Sequence, residues 1–104
     1  MNVIFIDTSS NEEVKVGLQK GEKIQWKNSK AKIRNSQIVL QLVDVLLKEN
    51  DLTVNDITEI QVNTGPGSFT GLRIGISIAN ALAFTLKIPV NKKNISEFVD
   101  ATYT

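Results

Sequence analysis

The chain contains no cysteine and no histidine. Without cysteine there are no disulfides and no thiolate metal sites, which fits a reducing compartment such as the cytoplasm. Without histidine the chain loses the usual general base, the commonest metal ligand and every Ser-His or Cys-His arrangement. An excess of one charge is missing as well. Twelve basic and 11 acidic side chains leave a formal charge of +1, so no electrostatic footprint argues for tight, direct binding of nucleic acid. The apolar stretch after Leu72 is broken by Arg73, Ser77 and Asn80 and is not expected to span a membrane. Met1-Asn2 leads straight into a strand-like run, so no signal peptide is expected. With 104 residues, 41% of them hydrophobic and 22% charged, the chain is expected to be one globular domain with its own core.

What is present centres on Gly65-Pro66-Gly67-Ser68-Phe69-Thr70-Gly71-Leu72-Arg73-Ile74-Gly75. A strand-like run, Glu59 to Asn63, enters it, and a long apolar segment from Thr70 to Leu86 leaves it. Two glycines around a proline force a sharp turn with positive φ, and Ser68 or Thr70 is placed to cap the helix that follows. Two readings of this loop stay open. A helix start with free N–H groups and small residues can hold an anion, whereas a tight strand-to-helix connection needs the same glycines only for close packing. No Walker-type Lys-Ser/Thr follows the glycines.

Ahead of the loop, Val3-Ile4-Phe5-Ile6 is apolar on both alternating faces and reads as a central strand ending in Asp7-Thr8-Ser9-Ser10. Val14, Val16 and Leu18 alternate with polar residues, Lys20-Gly21 turns the chain back, and Ile24 and Trp26 continue the alternation. The opening is thus an antiparallel three-stranded meander, followed by a solvated loop from Asn28 to Lys32. Ser36 to Asn50 reads as the first long helix, capped by Asn35 or Ser36. Its polar residues Gln37, Gln41, Asp44 and Lys48 fill a stripe only ~60° wide, leaving an apolar arc of roughly 220° where one sheet needs about 100°. That surplus calls for a neighbouring helix or another chain.

Thr53-Val54-Asn55-Asp56 reads as a capped single turn before a fourth strand with Ile60 and Val62 inward. On the second helix Gly71, Gly75, Ala79 and Ala83 form a smooth ridge that admits another backbone, and Arg73, Ser77, Asn80 and Phe84 form the opposite arc. Lys87-Ile88-Pro89-Val90 is expected as a short fifth strand, and Asn94 or Ser96 as the cap of a last helix through Ala101. The order β-β-β-α-β-α-β predicts an α/β fold, a mixed sheet covered by helices.

With Ile6-Asp7-Thr8-Ser9 closing the first strand, the long glycine motif resembles the N-terminal domain of the TsaB (YeaZ) family of tRNA threonylcarbamoyladenosine biosynthesis proteins, from about Val3 to Val90. The resemblance implies a ribonuclease H-like domain of the actin/Hsp70/sugar-kinase type with sheet order 3-2-1-4-5. It also implies that residues 1–104 are one N-terminal-type domain, with the family's second domain absent. Members of the family are accessory subunits and not independent catalysts, and peptidase activity is not expected of a chain without histidine or cysteine. Their partners are the metal-binding subunit TsaD or a second TsaB, met through the two long helices, with the ATPase TsaE in the same complex. Transfer RNA is reached only indirectly, and its modified base is the adenosine next to the anticodon in tRNAs that read ANN codons.

For this chain the expected interface is Leu40, Val43 and Leu47 with Arg73, Ser77, Asn80 and Phe84. The alternative is a nucleotide-binding half-domain. In it Asp7 would hold magnesium through water, and Thr8, Ser9 and the helix start at Gly67 and Ser68 would meet phosphate. The competing reading has Asp7 and Thr8 merely satisfying turn backbone. No catalytic residue, no metal site and no resident cofactor are expected, and ATP or ADP with magnesium enters only in a complex. Departures from the family pattern are Asn35-Ser36 where a His usually precedes the Ser, and Asn91 to Glu97 in place of a Gly-Val-Ser-Ser-Leu-Glu stretch.

Overall fold

Alternation in the first 30 residues produces three strands in the computed structural model, which describes residues 1–10, 12–30, 36–95 and 97–102. They are β1 (Asn2–Asp7), β2 (Val14–Lys20) and β3 (Lys23–Ser29). Helix α1 (Ser36–Glu49), a 3-10 turn (Val54–Asp56), β4 (Glu59–Val62) and α2 (Phe69–Leu86) complete the order. The sheet runs β3-β2-β1-β4, with β1 antiparallel to β2 and parallel to β4. Asn35, the alternative cap of α1, lies outside the described residues, and Asn28 and Ser29 belong to β3 instead of the loop. At the 3-10 turn the Thr53 N–H donates to Asp56 Oδ2 at 2.7 Å, the reciprocal cap its spacing predicts.

Ile4 and Ile6 of β1, Val14, Val16 and Leu18 of β2, and Ile60 and Val62 of β4 share one face and join the helices in a single core. There α1 lies on β2 and β3, and α2 on β4 and β1. By length and composition α2 could cross a bilayer, yet here Gly71, Leu72, Gly75, Ile76, Ile78, Ala79 and Ala83 are buried in the fold. At Gly75 the small-residue ridge receives not another backbone but the Ile6 and Thr8 side chains at the end of the chain's own first strand. A Cβ on Gly75 would run into the Thr8 hydroxyl and come within 3.3 Å of Ile6 Cγ2.

Two expectations need correction. The expected fifth strand and the order 3-2-1-4-5 are not formed: the described sheet has four strands, and only a single parallel bridge, Ile60 to Val90, lies beside β4. Ile60 N donates to Pro89 O and Asn91 N to Ile60 O, but Asn91 (φ 50°) and Lys92 (φ 62°) then turn left-handed and end the pairing. The Asn91 side chain takes over the next ladder positions, accepting from Val62 N at 2.7 Å and donating to Val62 O at 3.0 Å. The last helix does not form among the described residues; Ser96 lies outside them. Asn94 O accepts from Glu97 N in a single turn, after which the backbone bonds to α2 and to the glycine loop instead of to itself.

The second face of the sheet carries no helix among the described residues. Side chains alternate, so Val3, Phe5 and Asp7 of β1 point there, with Ile24 and Trp26 of β3. On β3 the helix side is polar instead. Lys27 pairs with Glu49 at 3.0 Å, and hydrogen bonds from Lys27 and then Gln25 hold the Glu49 carboxyl below its ordinary range.

Candidate functional site

Two places combine the predicted site residues. The first is where β1 and β4 end beneath the start of α2. Thr8 is fully buried, and its hydroxyl donates to Gly71 O and accepts from Gly75 N at 3.1 Å. Asp7 Oδ1 accepts from Ser9 N at 3.0 Å, Ser9 Oγ at 2.6 Å and Asn63 Nδ2 at 3.3 Å. Asn63, which lies outside the glycine motif, ties the strand ends together. Its Nδ2 also donates to Ser9 Oγ, and its Oδ1 accepts from Gly65 N. A side-chain amide just past a strand end, facing a carboxylate on the neighbouring strand end, was the available signal.

Gly65 has φ 121°, the left-handed conformation expected of the loop, whereas Gly67 does not. Gly67 is glycine for space: a Cβ there would lie 2.7 Å from Ser9 Cβ and 2.9 Å from Ser9 O. Ser68 N donates to Ser9 O, and Ser68 Oγ accepts a long 3.5 Å bond from Gly71 N; Thr70 is inside the helix and caps nothing. Asp7, Thr8, Ser9, Gly67 and Ser68 therefore do converge. Their polar atoms are spent largely on one another and on turn backbone. The Asp7 carboxylate accepts three bonds on Oδ1, and Ser9 closes the space beside Gly67.

The second place is the outer side of the helix layer. Leu40 is 45% exposed and stands with Val54 across from Ile78, Ala81, Leu82, Thr85 and Leu86, lining an open and almost wholly apolar groove of about 310 Å³. A second hollow continues along α2 between Ser36, Phe69, Arg73, Ile74 and Ser77, where the Arg73 guanidinium lies 4.9 Å over the Phe69 ring. Of the expected interface, Leu40, Arg73 and Ser77 are on this surface. Val43 and Leu47 are not: each is 3% exposed and packed on the sheet. Asn80 is taken up by the chain itself, whereas Phe84 stays 56% exposed. Asn80 exchanges two hydrogen bonds with the Val99 backbone, and Phe84 meets Phe98 edge to face at 6.0 Å. The wide apolar arc of α1 explains the error, since it leaves the seated portion undetermined. Val54, Ala81, Leu82 and Leu86 were missed because they belong to the groove only once the 3-10 turn and α2 are brought beside Leu40.

With that geometry in view, the chain can be set beside known proteins. The family model for TsaD, tRNA N6-adenosine threonylcarbamoyltransferase, matches residues 29–94, more than half of the chain. The tRNA threonylcarbamoyladenosine biosynthesis protein TsaB of Haemophilus influenzae is 33% identical over 86% of this chain and 38% of its own length. TsaB of Bacillus subtilis is 34% identical over 88% of this chain and 40% of its own. The chain belongs to the TsaB/YeaZ family. The solved structure of YeaZ from Pseudomonas aeruginosa superimposes with a TM-score of 0.80 at 31% identity, over 86% of this chain and 43% of that one. This TsaB-family chain thus spans about two fifths of the length of the curated relatives it matches. It shares with YeaZ an α/β fold with a mixed sheet and two long helices.

Proposed function

We propose that this chain is a non-catalytic interaction subunit of the machinery that makes threonylcarbamoyladenosine in tRNA, docking through the outer face of α1 and α2. Its partner is a TsaD-type threonylcarbamoyltransferase, or a second copy of itself when alone. The observation that carries this reading is the apolar groove between Leu40 and Ala81, which leaves hydrocarbon in water on a chain whose relatives are named for that modification. An uncovered, contiguous apolar surface is a mark of association. The fold reading that goes with it is half of an actin/Hsp70/sugar-kinase type structure, working in the cytoplasm. A TsaE-type ATPase joins the same assembly, and no cofactor is assigned to the chain itself. The internally bonded Asp7 cluster favours this over a nucleotide-binding half-domain.

Light scattering on the chain mixed with TsaD from the same organism tests it. The expected result is a complex with a dissociation constant in the micromolar range or tighter, as a specific interface of standard size gives. Two species that elute and scatter separately at concentrations on the order of 100 μM would overturn the reading.

A further inference from the structure

The apolar groove does not end at Ile78. That side chain lines both hollows of the helix layer, the one beside Leu40 and Ala81 and the one beside Phe69 and Arg73. The two are therefore one continuous furrow along α2. Arg73 and Ala81 lie on the same helix, about 12 Å apart along its axis. A helix with its side chains is itself about 10–12 Å across, so an element seated in the groove also reaches Arg73.

Arg73 is a cation that nothing in this furrow answers. Neither hollow is lined by an acidic residue, and Arg73 has no ion pair among the described residues. Lys15, Lys27 and Lys48, by contrast, each face a carboxylate of the chain. The Arg73 side chain is nonetheless held in place, because its guanidinium lies 4.9 Å over the Phe69 ring. Stacking of this kind fixes the plane of the fork and leaves the N–H groups at its edge able to donate.

In water this cation is solvated and costs nothing. Covered by a partner that brought no acceptor, it would become a buried, unpaired charge, a penalty large enough to cancel the gain from the groove. We propose that the TsaD-type partner sets one Asp or Glu carboxylate against Arg73 while its apolar side chains fill the groove. This deepens the docking reading and rests on it. The planar fork of a guanidinium matches the two oxygens of a carboxylate. A nucleic-acid phosphate suits the place less well. Among the described residues no second cation lines the hollow, whereas binding to a phosphate backbone draws on several. The pair supplies what hydrocarbon alone does not, a fixed register for the partner along α2.

Titration calorimetry of the full chain with TsaD from the same organism tests the pair. Arg73→Gln should weaken binding about tenfold and Arg73→Glu on the order of a hundredfold. Arg73→Lys keeps the charge without the fork and should fall between the parent and Arg73→Gln. Arg73 is exposed, so the thermal midpoints of all three should stay near the parent's. Acidic residues of TsaD are then neutralised one at a time, Asp to Asn and Glu to Gln. One of them should give a loss that is not additive with Arg73→Gln. Equal affinity of Arg73→Glu and the parent overturns the pair, as do additive losses at every partner carboxylate. So does weaker tRNA retention by an Arg73→Gln complex whose TsaD affinity is intact, which would give Arg73 to a phosphate. Leu40→Asp with Ala81→Asp, measured alongside, keeps the two readings apart. If that variant loses affinity and Arg73→Glu does not, the pair is wrong and the groove stands; if the parent itself does not bind, both fall.

Discussion

A Gly75→Val chain should melt on the order of 12 °C lower than the parent or fail to fold cooperatively, a loss of about 3 kcal/mol or more. Two effects oppose each other at this position. Removing a helix glycine is favourable by up to about 1 kcal/mol, because the backbone loses less freedom on folding. Against it, the added carbon enters space held by Thr8 and Ile6, which are 0% and 1% exposed and have nowhere to move. It also forces apart the Thr8 hydroxyl from Gly71 O and Gly75 N. Overpacking costs about 1–3 kcal/mol and a broken buried hydrogen-bond pair about as much again, so the steric side wins. A double-mutant cycle separates this account from a general intolerance of α2. Gly75→Ala should cost clearly less in a Thr8→Ala background than in the parent, since the truncated residue vacates the space the new Cβ needs. Additive losses would show that the contact with Thr8 is not the cause.

The second large effect is on association. Leu40→Asp combined with Ala81→Asp should weaken binding to the TsaD-type partner by on the order of a hundredfold or more, because carboxylates would be desolvated without partners. Both positions are exposed in the isolated chain, so its thermal midpoint should change little. Val45→Asp is the matched control. Val45 is 40% exposed on the same helix but lies about 140° around the axis from Leu40, away from the groove. Titration calorimetry should find its affinity within about threefold of the parent. Equal losses at Val45 and Leu40 would place the partner elsewhere on α1.

Much of this architecture could be read from residue order because its signals are local. Alternation at Val14, Val16 and Leu18 is periodic over a whole strand, and the polar stripe of α1 is periodic over four turns. Signals that depend on what lies opposite were not legible. Ile88-Pro89-Val90 looks like a strand until Asn91 replaces backbone with its own amide. Residues after Asn94 look helical until Asn80 captures the Val99 backbone. Ile24 and Trp26 alternate as a buried strand would, but alternation cannot tell which face of the sheet they take. Here it is the one the helices leave bare.

The same limit governed the sites. Asp7, Thr8, Ser9, Gly67 and Ser68 could be brought together from the glycine motif, whereas the consumption of their polar atoms by the turn required coordinates. The docking surface was legible as an excess of apolar arc on α1, a matter of quantity. Which residues made up the excess was a matter of seating, and Val43 and Leu47 went to the core while Leu40 stayed in solvent.

Hydrogen exchange read by mass spectrometry, on the chain alone and with TsaD, tests most directly whether the helix layer is where this protein does its work. Amides of α1 and α2 should exchange more slowly in the mixture, with β3 and the turn after β1 unchanged. Protection confined to the turn at Asp7 and Gly67, with the helices exchanging as before, would contradict it.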